Sequence, residues 1–96
     1  MVEGYFYVVQ LYPDRDANIL KLGFSRRPEI RLQQYKTAAP FAVVAGTWSC
    51  HKQWEQPLIK AIASQGQRYG DEEVVVCDLA LVIEMCKKFF QKEQLT

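Results

Sequence analysis

A chain of 96 residues has room for one small domain and not for two, and it can bury roughly 60% of its unfolded surface without disulfide or metal staples. With 49% apolar and 24% charged residues, the composition excludes a disordered or fibrous chain. The net charge of +1 excludes a uniformly basic or acidic surface but conceals an asymmetry: residues 1–70 carry nine Lys and Arg against five Asp and Glu, a balance of +4, whereas residues 71–96 carry three against six, a balance of −3.

Cys50, Cys77 and Cys86 are odd in number and form no C-x-x-C pair. That argues against a disulfide framework or a zinc knuckle and points to a reducing compartment. Cys86 falls on an apolar helical face and reads as core filling. The expectation is a soluble cytoplasmic protein with no membrane contact, because no signal peptide opens the chain and no apolar run approaches spanning length.

In chain order, Gly4 to Leu11 is aromatic and β-branched throughout and predicts a strand. Tyr5, Tyr7 and Val9 would share one face, and Phe6, Val8 and Gln10 the other; apolar character on both faces suggests a central strand. The segment 12–18, with its Pro and Asx residues, is a turn. Ile19 to Phe24 is a second strand, joined closely enough to favour an antiparallel hairpin. Ser25 can cap a helix from about Arg26 to Lys36, with Pro28 in its first turn. Ile30 and Leu32 or Gln33 would share its inner face with Tyr35. Pro40 ends it. Phe41 to Trp48 is a third strand, and Gly46 within it marks a bulge or a close approach. Ser49 can cap a second helix, Cys50 to Gln65, with Leu58, Ile59 and Ile62 as its stripe; Pro57 predicts a kink or a late start. A loop over 65–72 leads to a short edge strand, Glu73 to Cys77. Asp78 caps a last amphipathic helix, Leu79 to about Gln91. The fold class expected is α+β: one domain over 1–96, a small, mostly antiparallel sheet of three core strands plus the short edge strand, flanked by three helices.

The stretch Lys21 to Tyr35 carries the most chemistry. Arg31 and Tyr35 are spaced i and i+4, so a guanidinium and a phenol leave one helix face just beyond a strand end. That arrangement could hold a phosphate; it could also be an ordinary strand–turn–helix with an exposed Arg. Lys21, Arg26, Arg27, Arg31 and Lys36 concentrate the basic excess here, as a phosphate backbone prefers. Glu55 lies on the apolar stripe of the second helix, where a carboxylate is costly unless paired, hydrated or metal-bound; alternatively it sits at the exposed mouth of that stripe. His51 is the only His, and no Gly-rich phosphate loop or zinc-type ligand cluster is present.

Gly4-Tyr5-Phe6-Tyr7-Val8-Val9, then Lys21-Leu22-Gly23-Phe24-Ser25, then Arg31, Tyr35 and Glu55, resemble the GIY-YIG nuclease superfamily, and within it the compact phage-associated branch that carries Lys in place of the second motif's Tyr. The resemblance runs from residue 4 to about 80. It implies a magnesium-dependent (or manganese-dependent) DNA endonuclease, a hydrolase cutting one strand per event. Tyr7 would position or activate the attacking water, Arg31 would stabilise charge on the scissile phosphate, and Tyr35 would stand near the nucleophile. Glu55 would bind the metal, and Lys21, Ser25, Arg26 and Arg27 would contact nucleic acid. Tyr7 could serve as a base only if the metal and Arg31 depress its pKa. The family's late Asn has no clear counterpart; Gln67 stands near its spacing. No DNA-recognition domain is appended, so sequence specificity would be slight, or supplied by a partner protein or a second copy. Two alternatives stand beside the nuclease: a nucleic-acid-binding module of the same fold without the chemistry, and a protein-interaction domain using its sheet edge.

Overall fold

The computed structural model describes residues 3–69 and 73–94. Strand β1 (Glu3–Tyr12) and strand β2 (Asp16–Ser25) form an antiparallel hairpin. Its turn is closed by the Arg15 N–H donating to the Tyr12 carbonyl at 2.9 Å, and Asp16 Oδ1 accepts the Asn18 N–H at 2.9 Å. Strand β3 (Val43–His51) pairs with the other edge of β1, which is therefore central, as its two apolar faces require. A register shift in β3 at Val8/Val9 of its partner falls beside Gly46, the expected bulge. The hairpin β4 (Gln67–Arg68) and β5 (Val74–Val76) extends the far side, giving a wholly antiparallel sheet of order β3-β1-β2-β5-β4.

Helices cover both faces. Phe6, Val8, Leu20, Leu22 and Val75 pack against Leu58, Ile59 and Ile62 of α2 (Glu55–Ala63) and Val82, Cys86 and Phe90 of α3 (Leu79–Gln94). On the opposite face Tyr7 and Val9 meet Leu32 and Tyr35 of α1 (Pro28–Lys36), together with Ala39 and Ala42. Alternation along β1 divides these two clusters, which is why a strand apolar on both faces was required at this position. The start of α3 is fixed twice: Asp78 Oδ2 accepts the Leu81 N–H at 3.1 Å, and Asn18 Oδ1 accepts the Leu79 N–H at 3.1 Å from the neighbouring strand β2. Cys50, Cys77 and Cys86 are all buried and unbridged. Burial pushes Cys50 up to about 11 and Cys86 up to about 12, so both are core filling and poor nucleophiles. Among the described residues no helix is long and apolar enough to cross a membrane.

Several boundaries differ from the sequence reading. Ser25 does not cap α1: its hydroxyl accepts the Arg27 N–H at 3.0 Å, making a turn ahead of the helix, and Arg27 takes the cap position with Pro28 first in the helix. Ile30 points outward, 44% exposed, because α1 lies on the sheet through Leu32 and Tyr35 instead. Phe41 is 66% exposed in the turn before β3, not in the strand. Ser49 is no cap either: it pairs with Tyr5 in β3, which runs on to His51. A 3-10 turn, Lys52–Trp54, follows, and α2 begins late, at Glu55, with Pro57 in its first turn, where the missing N–H costs little. The short strand β5 is not at the edge; β4, inside the expected loop over 65–72, covers it, while residues 70–72 of that loop lie outside the described residues.

Candidate active site

The site starts from an incomplete edge of β2. In an antiparallel ladder alternate N–H groups point to the same neighbour. Leu22 N–H donates to the Glu73 carbonyl at 2.9 Å, just ahead of β5. Two residues on, Phe24 N–H points the same way, and there the Glu55 carboxylate replaces the missing strand, with Oε2 accepting at 3.0 Å. Glu55 thereby reaches from α2, on one face of the sheet, through the gap beyond β5. Its other oxygen, Oε1, is 2.7 Å from Lys52 Nζ. The residue is only 7% exposed, so its charge is held by one backbone donor and one ammonium.

On the opposite face Tyr7 lies directly across from Gly23 in the β1–β2 register. Its ring occupies the space a side chain at Gly23 would fill: an added Cβ would come within 2.7 Å of Tyr7 Cζ. The Gly of the Lys-Leu-Gly motif is thus what allows Tyr7 to lie flat across β2 and bring its hydroxyl to that of Tyr35 on α1, with which it hydrogen-bonds. Lys21, two residues before Gly23 and on the same face, sits with Nζ 5.8 Å from the Tyr35 ring centroid. Arg31, one turn before Tyr35, is exposed, its guanidinium 3.4 Å from Gln34 Oε1.

These side chains open onto one cleft of about 660 Å3, lined by Tyr7, Lys21, Arg31, Tyr35 and Glu55. The structure therefore brings together five of the eight residues singled out by sequence as catalytic, nucleic-acid-contacting or metal-binding, drawn from β1, β2, α1 and α2. It does not bring Ser25, Arg26 or Arg27 into the cleft lining; Arg26 and Arg27 are exposed at the entrance to α1. Gln67 is exposed in β4 and does not line the cleft.

The sequence reading missed the other wall, which is made of Phe24, Lys52, Gln53, Gln56 and Glu73. Gln56 Nε2 donates to Glu73 Oε1 at 3.1 Å. Lys52 Nζ lies 5.4 Å from the Phe24 ring centroid. Lys52 stands three residues before Glu55, a spacing that brings such a pair into contact in a helical turn, and that was the signal available in the sequence.

The electrostatics bear on the role of Tyr7. Burial is the main cause that pushes its phenol far above the usual range, and the hydrogen bond and the proximity of Tyr35 act the same way; Arg31 pulls it down and is outweighed, while Glu73 adds to the rise. In the metal-free protein this disfavours the ionised phenol and suits Tyr7 to orienting a partner through its hydroxyl.

Among the described residues no group of three or more His, Cys, Asp or Glu side chains is gathered to hold a metal ion. A hydrated Mg2+ needs less, since it keeps several waters and can be bound through one carboxylate and substrate phosphate. Glu55 has that chemistry: a fixed carboxylate at the cleft, one oxygen anchored by the Phe24 N–H and the other facing the side chain of Lys52.

The fold and site together define an α+β domain with a mixed cationic, phenolic and carboxylate cleft at a broken sheet edge. Compared with models of known families, with curated proteins and with solved structures, the chain matches none of the three.

Proposed function

We propose that this chain is a divalent-metal-dependent DNA endonuclease domain of the GIY-YIG type, hydrolysing phosphodiester bonds. The observation that carries this reading is the convergence of Tyr7, Lys21, Arg31, Tyr35 and Glu55, distant in sequence, on one cleft. Lys21 and Arg31 supply positive charge where a phosphate would lie, and Arg31 at the rim suits the non-bridging oxygens, on which charge accumulates during cleavage. Tyr7, held protonated and hydrogen-bonded to Tyr35, orients the attacking water. Glu55 would hold the divalent cation, which supplies Lewis-acid stabilisation of the phosphate and the leaving oxygen. Gln53 and Gln56 bring amides to the cleft in the absence of a late Asn. Supercoiled plasmid incubated with the wild-type protein should be nicked in Mg2+ or Mn2+ and left intact in EDTA; an intact plasmid under all three conditions rejects the reading.

One observation favours a second reading. Glu55 already has a cation, Lys52, at 2.7 Å, as a fold that had lost its metal chemistry and kept nucleic-acid binding would show. Both readings expect affinity for DNA that falls with salt, because Lys and Arg release counterions from phosphates. Charge reversal at Arg26 and Arg27 should weaken binding equally for unrelated sequences and lower the salt slope by roughly one per contact removed, measured by fluorescence anisotropy. Affinity independent of salt would favour a protein-interaction role. Plasmid nicking separates the two DNA-binding readings.

A further inference from the structure

Lys52 has no role in the proposed reaction, yet it occupies the most consequential position in the cleft. Its ammonium is 2.7 Å from Glu55 Oε1, while Oε2 is taken by the Phe24 N–H at 3.0 Å. Oε1 is therefore the oxygen to which an incoming cation has access. The two partners differ in mobility. The Glu55 side chain is 9% exposed and anchored to the backbone of β2, whereas the Lys52 side chain is 59% exposed and, among the described residues, is steadied by the carboxylate and by the Phe24 ring. The carboxylate is the fixed member and the ammonium the exchangeable one.

We infer that Lys52 is a resident counter-ion that competes with the divalent metal for Glu55, so that metal binding and the Lys52–Glu55 pair exclude one another. The inference rests on the metal-dependent reading of the cleft. Two cations on one carboxylate oxygen repel strongly where water is scarce, so the ammonium must leave Oε1 before a metal ion can be held there. In the metal-free protein the pair keeps the nearly buried carboxylate from standing uncompensated, a state that is costly. Once displaced, Lys52 stays tethered at the rim of the same cleft, with its charge free for a substrate phosphate. The metal-loaded cleft would then present Lys21, Arg31 and Lys52 together, and phosphate affinity would rise with metal loading by more than the metal's own charge.

The test measures Mn2+ binding to the full chain without DNA, by the electron paramagnetic resonance of free Mn2+, in wild type, Lys52→Met and Lys52→Gln; the second variant guards against a folding defect in the first. Removing the competitor should tighten Mn2+ binding about tenfold in both variants, or about 1.4 kcal/mol, and Glu55→Gln should abolish it. Variants that bind Mn2+ no more tightly than wild type would overturn the competition and leave the metal site standing. Absence of Mn2+ binding in wild type and in both Lys52 variants would overturn the competition and the metal-dependent reading together.

Discussion

Gly23→Ala should destabilise the protein by about 2–3 kcal/mol, a large loss for a single methyl group. The reason is the close approach of Tyr7, whose Cζ would lie 2.7 Å from the new Cβ. A long side chain normally gives way, but Tyr7 is buried against Val9, Ala39 and Ala42, and its hydroxyl is bonded to Tyr35. To relieve the clash, the ring must displace α1 or β2. A domain of this size should lose about 10–20 °C in Tm, measured by circular dichroism. Adding Tyr7→Ala removes the obstacle, so the double variant should be less destabilised than the sum of the two single ones. Strict additivity would mean that Gly23 serves some purpose other than making room for Tyr7.

Glu55→Ala should reduce plasmid nicking in Mg2+ by about 10³-fold, since metal-borne charge stabilisation is worth several kcal/mol. It removes the carboxylate proposed to hold the metal and the acceptor that satisfies Phe24 N–H. Loss of that acceptor from a partly buried donor should cost about 1–3 kcal/mol of stability as well. Glu55→Gln separates the two effects. Its amide oxygen can still accept from Phe24, so the fold should lose only about 1 kcal/mol through the weakened partnership with Lys52, while nicking falls as far as in the Ala variant. A Gln variant that nicks at the wild-type rate would remove Glu55 from the chemistry.

The sequence made the sheet and its three helices readable because their signals are local. The alternation in Gly4 to Leu11, the 3.6-residue stripe of α3 and its Asp78 cap each depend on nearby residues. The boundaries that moved depend on distant ones. Ser49 and Cys50 read as a helix start, but a central strand with an unpaired edge recruits them through Gly4 and Tyr5. β4 was hidden because its two residues, Gln67 and Arg68, carry no strand pattern and are strands only by pairing with β5. Within the site, Arg31 and Tyr35 were legible from helix spacing and Tyr7 from the motif. The wall of Lys52, Gln53, Gln56 and Glu73 was not, because it depends on where β5 stops, and polar residues at a loop–helix junction look the same whether they face water or a cleft. Glu55 was visible as a carboxylate on an apolar stripe, but the Phe24 N–H that makes its place tolerable follows from the truncated strand pairing alone.

The claim that this cleft cuts phosphodiesters is tested most directly through Arg31, an exposed member whose removal leaves the buried contacts of the fold in place. The single-turnover rate of plasmid nicking with saturating protein in Mg2+ should be measured for wild type and Arg31→Ala, with DNA affinity and Tm determined on the same preparations. The account predicts a rate lower by about 10²–10³-fold, as when one charge-stabilising donor is removed, at unchanged Tm and with DNA affinity weakened only slightly. Equal rates for the two proteins, or a loss fully accounted for by weaker DNA binding, would contradict it.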